Sequence, residues 1–180
     1  KTAGILSVAT AELAGVVAGA NAAGGLSCHI PAQAGAIPGF IAVQRASPVA
    51  RTLRDEGVRH FAVARPAEGE RLREAGSSER ILVLGAPIRE QLSVYTAHDL
   101  DVTISSPEVA TAACTHGTAS QPIRAHVKVD TGMVRIAVAP EDATAVIARV
   151  SDAPGVTLAG IWTHFATADQ PESPFAQTQL

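Results

Sequence analysis

Short aliphatic runs recur along this chain, and most are followed by a segment whose apolar positions fall three or four residues apart. Val8 to Ala23 has that helical spacing, with Thr10 placed to cap it and Gly24-Gly25 to stop it. Residues 26–39 carry Pro31 and Pro38 and read as a loop. Phe40 to Ala46 predicts a first strand closed by Ser47-Pro48, and Val49 to Glu56 a short helix ended by Gly57. From there a module repeats. His60 to Ala64 is a strand and Pro66 to Ala75 a helix stopped by Gly76. Arg80 to Gly85 and Ile88 to Ala97 form the next pair, and Asp101 to Ser106 and Pro107 to Thr115 the one after. His116 to Ser120 is a loop into a strand that contains His126. Glu141 to Val150, opened by Pro140, is helical, and Thr157 to Ala166 is a sixth strand. Asp169 to Leu180 is polar and Pro-rich.

Strands rich in Val, Ile and Leu that alternate with ten-residue helices predict βαβ units and a parallel sheet, an α/β fold. Strand spacings of about twenty residues fit a TIM-type (β/α) barrel better than an open sheet with long excursions. A closed barrel of this kind has eight strands in about 250 residues. The six strands read here therefore make an incomplete barrel, either a fragment or a sheet whose last edge is covered by something else.

The most informative stretch runs from His126 to Arg135. His126, Lys128 and Asp130 alternate with Val127, Val129 and Thr131, so an extended strand lines up an imidazole, an ammonium and a carboxylate on one face. Such groups are costly to bury unless they pair or line a site. Thr131-Gly132 breaks the strand and Arg135 follows, as expected for a site at the carboxyl edge of a parallel sheet. A buried Lys128–Asp130 ion pair, a solvated Arg135 and a structural His164 are the plainer readings. His126, Asp130 and His164 could also be read as metal ligands on adjoining strands. There is no HxH or HExxH spacing, and Lys128 would sit among them, so no metal is expected.

Composition narrows the choices. Aromatic residues make up only 3% of the chain and Ala and Gly dominate its apolar fraction, which suits close helix-on-sheet packing. A net charge of -3 with no basic block argues against nucleic acid, and no window is apolar for long enough to span a bilayer. Lys1 and Lys128 are the two lysines, so the second is conspicuous among twelve arginines. Cys28 and Cys114 lie far apart without CxxC or Cys/His spacing and are expected as free thiols in a reducing, cytoplasmic compartment. Glu12 interrupts the faint signal-peptide look of the first residues.

With these residues in view, the chain resembles the alanine racemases, pyridoxal-phosphate enzymes that interconvert L- and D-alanine. His126 to Arg135 is similar to that family's Lys-Val-Asp-Thr-Gly-Met-Gly-Arg, and Trp162 to Ala166 with Ala168-Asp169 to its Thr-His-Phe-Ala signature. His60 to Ala64 with Glu68, Leu72-Arg73 and Ala75-Gly76, then Ile81 to Gly85, resemble its second and third barrel modules. Residues 1–180 would then be the N-terminal part of the barrel domain, without the family's C-terminal β domain.

The resemblance implies roles residue by residue. Lys128 matches a lysine that is often carbamylated and positions an arginine. Arg135 matches that arginine, which approaches the cofactor ring oxygen and the substrate carboxylate. His164 matches a histidine under the ring. The family is homodimeric with shared active sites and supplies D-alanine for the cell wall. Two departures stand out. Val134 replaces a glycine. Arg45 falls where the family places, in Val-Lys-Ala-Asn/Asp-Ala-Tyr-Gly-His-Gly, the lysine that binds the cofactor covalently, and the Tyr-Gly-His-Gly part has no counterpart. Arginine stays protonated and cannot condense with an aldehyde. Tyr95, the single tyrosine, matches no catalytic position. The expectation is a family member that as it stands is inactive, with doubtful cofactor binding; the alternative is a non-catalytic barrel fragment that binds phosphate or an amino-acid carboxylate.

Overall fold

A computed structural model of the chain describes residues 41–42, 46–167, 170 and 172–179. The predicted helix 8–23, the loop 26–39, Cys28 and Arg45 lie outside the described residues. The chain divides into two compact units, residues 1–82 and 83–180.

In the first unit the strands β1 (Ile41–Ala42), β2 (His60–Val63) and β3 (Arg80–Val83, which ends one residue beyond it) form one sheet in the order β1-β2-β3. Strand β1 runs parallel to β2, with Ile41 opposite Phe61. Helix α1 (Ala46–Asp55) begins three residues before the expected Val49. Ser47-Pro48 opens the helix because a proline in the first turn gives up an N–H that would have had no intrahelical partner. Helix α2 (Pro66–Glu74) starts on a proline as well, and Glu68 Oε2 accepts from the backbone N–H groups of Ala64 and Arg65 at 2.8 and 3.0 Å.

Both helices end in the same device. Gly57 and Gly76 take φ of +91° and +83°, and the residue after each glycine donates back to the carbonyl of Leu53 or Leu72. That pins Leu53 and Leu72, both fully buried, at the close of each helix. Phe61, Ala62 and Val63 are buried in succession, as are Ile81, Leu82 and Val83. Consecutive burial without alternation means both faces of the strand are covered, the signature of a parallel α/β sheet.

In the second unit a 3-10 turn (Arg89–Gln91) leads into α3 (Leu92–Ala97), where a single helix from Ile88 was expected. The first turn tightens because Gln91 N–H bonds to Ile88 O, an i to i+3 contact common at helix starts. The strands β4 (Val102–Ile104), β5 (Ile123–Lys128) and β6 (Val156–Trp162) form a parallel sheet in chain order. Between them lie α4 (Pro107–His116), capped by the Ser106 hydroxyl on Val109 N–H, and α5 (Pro140–Asp152). Helix α4 buries Ala110 and Ala113, and α5 buries Ala143, Val146 and Val150. These small side chains are the close helix packing that the composition foretold. A short helix, α6 (Phe175–Thr178), lies in the terminal segment that the sequence left irregular. No helix among the described residues is long and apolar enough to cross a membrane.

Candidate functional site

Strand β5 carries Arg124, His126 and Lys128 at alternate positions. His126 is buried, and its Nε2 donates to Asp101 Oδ2 at 3.0 Å; Asp101 Oδ1 faces Arg124 Nε at 3.4 Å. Room for the imidazole comes from β6. The pairing of β5 with β6 shifts between Ala125 and His126, from Leu158 to Gly160, which leaves Ala159 as the extra residue of a bulge. A Cβ on Gly160 would lie 2.9 Å from His126 Nδ1, so the glycine is there for the ring.

The strand ends at Lys128, two residues short of the expected run to Asp130. Val129 N–H still donates to Trp162 O at 2.9 Å, but Asp130 N–H donates to Val138 O and Val138 N–H to Lys128 O, both at 2.8 Å, so the chain leaves the sheet after Val129 as a loop closed at its base by Val138. Asp130 therefore does not stand in line with His126 and Lys128. Its Oδ1 accepts from the N–H groups of Gly132 at 2.9 Å and Val134 at 3.0 Å, and these hydrogen bonds hold its carboxyl below the usual range. Asp130 is an organiser of the loop.

That loop is strained. Gly132 has φ of +134°, suited to glycine, but Val134 at +54° and Ile136 at +42° are β-branched residues in the left-handed region, flanking Arg135. Val134 is also 86% exposed, so no packing offsets the conformation. Val134→Gly is expected to stabilise the chain by about 1 kcal/mol, the left-handed cost less the greater entropy that glycine loses on folding. A urea unfolding midpoint no higher than that of the parent chain would contradict this.

Lys128, Arg135 and His164 come together. The buried Lys128 Nζ donates to Arg135 O at 3.1 Å and lies 4.8 Å from the centre of the Trp162 ring, a cation–π contact. Arg135 is exposed, and its Nη2 is 3.3 Å from His164 Nε2. A guanidinium can only donate, so Nε2 accepts and this contact requires the neutral imidazole with its proton on Nδ1. Burial, reinforced by the charge of Arg135 and opposed by Asp130, lowers the Lys128 pKa from its ordinary value of 10.5.

The sign of the resulting pH dependence follows. Between the lowered value and 10.5 the unfolded chain binds more protons than the folded one, so the Lys128 contribution makes stability rise with pH across that window. Below it the buried charge is carried at a constant cost. The difference in unfolding free energy between the parent chain and Lys128→Met should shift in favour of the parent as pH rises from 7 towards 10. A flat difference would mean that Lys128 titrates as in the unfolded chain.

A second layer, centred on Gln179, was not legible in the sequence. The Gln179 side chain is buried; its Nε2 donates to Thr131 Oγ1 at 3.0 Å and His164 O at 3.1 Å, and its Oε1 accepts from Ala166 N–H at 2.8 Å. Thr131 Oγ1 is 2.8 Å from Thr163 Oγ1, which donates to Val129 O at 2.8 Å. Phe175 of α6 covers Gly132, whose Cβ would fall 2.7 Å from Phe175 Cζ. The partners of Gln179 lie inside the two recognised motifs, but nothing in the sequence marked Gln179 or Phe175. Arg45, the remaining predicted site residue, lies outside the described residues.

The comparisons with known proteins bear on the family and the fold. Residues 44–180 match the family model described as alanine racemase, N-terminal domain. The alanine racemase of Halothermothrix orenii is 37% identical over 133 residues, covering 73% of this chain and 35% of that protein. That of Chlorobaculum tepidum is 37% identical over 139 residues, covering 75% and 36%. Among solved structures, the alanine racemase from E. faecalis superposes with a TM-score of 0.70 at 33% identity, over 74% of this chain and 37% of that one. A histidine racemase from Leuconostoc mesenteroides gives 0.64 at 28% identity, over 72% and 36%. The chain thus spans about a third of the length of the relatives it matches. Its alternating parallel strands and helices are a portion of a (β/α) barrel, and the chain belongs to the alanine racemase family, within that family's N-terminal domain.

Proposed function

We propose that this chain is the barrel portion of a pyridoxal-phosphate-dependent alanine racemase, and that its Arg135 and His164 seat the cofactor ring and the substrate carboxylate. The observation that carries the reading is the cluster itself: residues from two separate motifs meet, with Lys128 holding the Arg135 backbone and Arg135 contacting His164, 29 residues further on. When bound, pyridoxal phosphate supplies the electron sink that lets an α-proton leave an amino acid. The chain's own contribution is orientation. A fixed, exposed guanidinium offers a planar fork for a ring oxygen or a carboxylate, and the neutral imidazole beside it keeps that fork aimed. An amine held below its ordinary pKa also has more of the neutral form that adds carbon dioxide, which supports the carbamylated role for Lys128.

The residues fit the orienting side of the cofactor and not its covalent attachment. Lys128 is the one lysine among the described residues, and its Nζ is turned to the Arg135 carbonyl; in our reading of the sequence, Arg45 takes the position of the attaching lysine. We therefore read the chain taken alone as binding without turnover, and the paired-subunit arrangement, the cytoplasmic setting and the choice of alanine as what its longer relatives suggest. The histidine racemase among the structural relatives supports keeping the substrate class at amino acids, with alanine as the first to try.

The test mixes the purified chain with pyridoxal phosphate, follows binding by absorbance, and maps borohydride-stable adducts. Saturable, non-covalent binding weakened by Arg135→Ala and His164→Ala is expected, with no adduct on Lys128 and D-alanine formation at background. Binding indifferent to both substitutions would remove the proposed seat. Racemisation by the chain alone would show that the attaching amine has been misassigned.

A further inference from the structure

We infer that Gln179 is a positioning residue for the Arg135–His164 pair: its buried carboxamide ties the loop after β5 to the loop after β6 and so sets the separation of guanidinium and imidazole. The inference rests on the reading of that pair as a cofactor seat for its functional meaning, but the clamp stands on its own geometry. All the polar capacity of the amide that faces the protein is directed. Ala166 N–H can only donate, which fixes Oε1 on that side and turns both Nε2 hydrogens to Thr131 Oγ1 and His164 O.

The direction then propagates. Thr163 spends its one hydroxyl proton on Val129 O, so it must accept from Thr131, and Thr131 must accept from Gln179. The result is a single oriented chain from Gln179 through Thr131 and Thr163 to the backbone at the end of β5. Neighbouring hydrogen bonds aligned head to tail reinforce one another. One branch holds the Thr131-Gly132 turn from which Arg135 is carried; the other holds the His164 backbone. Gln179 is 6% exposed and follows α6, whose Phe175 covers Gly132, so the short helix docks the clamp where the two loops meet. Leucine at this position would fill similar space but supply neither donor nor acceptor.

The experiment compares the parent chain with Gln179→Leu, Thr131→Val and, as a packing control, Phe175→Leu. One readout is the through-space NMR contact between the Arg135 guanidinium and the His164 ring, which requires no ligand; the other is the Kd for pyridoxal phosphate, measured where every variant is folded. Gln179→Leu should abolish the contact and raise Kd about tenfold, a change equivalent to about 1.4 kcal/mol. Thr131→Val should do part of the same. The double variant should be no worse than Gln179→Leu, because both break one chain. Phe175→Leu should lower the unfolding midpoint while preserving the contact. An intact contact in Gln179→Leu overturns the inference. Failure of the parent chain to bind pyridoxal phosphate would overturn the cofactor reading instead, and the ligand-free contact would still decide the role of Gln179.

Discussion

Gly155→Ala is expected to destabilise the chain by about 3 kcal/mol, the upper end of the usual cost of overpacking, because the added methyl has nowhere to go. Gly117 caps α4 and Gly155 precedes β6. A Cβ on either one would be driven into the backbone carbonyl of the other, and Gly155 O is already engaged by Ile123 N–H at 2.9 Å at the start of β5. A flexible side chain could swing aside; two peptide groups fixed at a helix end and a strand entrance cannot. Neither glycine has a positive φ, so the cause is close approach and not conformational freedom. The loss corresponds to a fall in Tm of about 6–12 °C for a chain of this size. Gly117→Ala should behave alike. Thermal unfolding within a degree or two of the parent for both variants would show that the two loops part without cost.

The next largest effect is expected at Asp101→Ala, also about 3 kcal/mol, since removing one member of a buried ion pair leaves its partner charged or polar without compensation. Asp101 is 1% exposed and serves both His126 and Arg124. The lower end of the usual range applies because the Arg124 side chain is one-third exposed and can turn to water, whereas His126 is enclosed between β4 and Gly160. The double variant Asp101→Ala/His126→Ala should lose less than the sum of the single changes, by at least about 1 kcal/mol, as for groups in direct contact. Urea unfolding of the four proteins measures this; simple additivity would mean that the pair is not coupled. The pair also has a consequence for the site. It anchors His126 at the bulge, and the shifted register is what sets Lys128 opposite Trp162.

The two units place their strands where the apolar runs lay, because a four-residue aliphatic block bounded by glycine and proline has few alternatives to a buried strand. Element ends were less legible. Pro48 reads in the sequence as a stop and is a start, since proline is compatible with both and only the chain on either side decides. The strand through His126 stops at Lys128 although alternation continues to Asp130, because Val138, eight residues beyond Asp130 in an otherwise irregular loop, returns to bond Asp130 and Lys128.

What the chain determined by itself was local and chemical: alternating strands and helices from apolar spacing, the capping glycines Gly57 and Gly76, and the residues Lys128, Arg135 and His164 carried by two short motifs. What only the tertiary structure decided was how those residues meet. The opposed glycines at 117 and 155, the accommodation of His126 by Gly160, the capture of Asp130 by loop amides and the Gln179 bridge are all contacts between segments distant in sequence, or turns whose partners no periodicity encodes. Periodicity reports which face a residue occupies. Which neighbour it finds there depends on how separate elements pack, and at these positions the outcome turns on the absence of one methyl group or the direction of one hydroxyl proton.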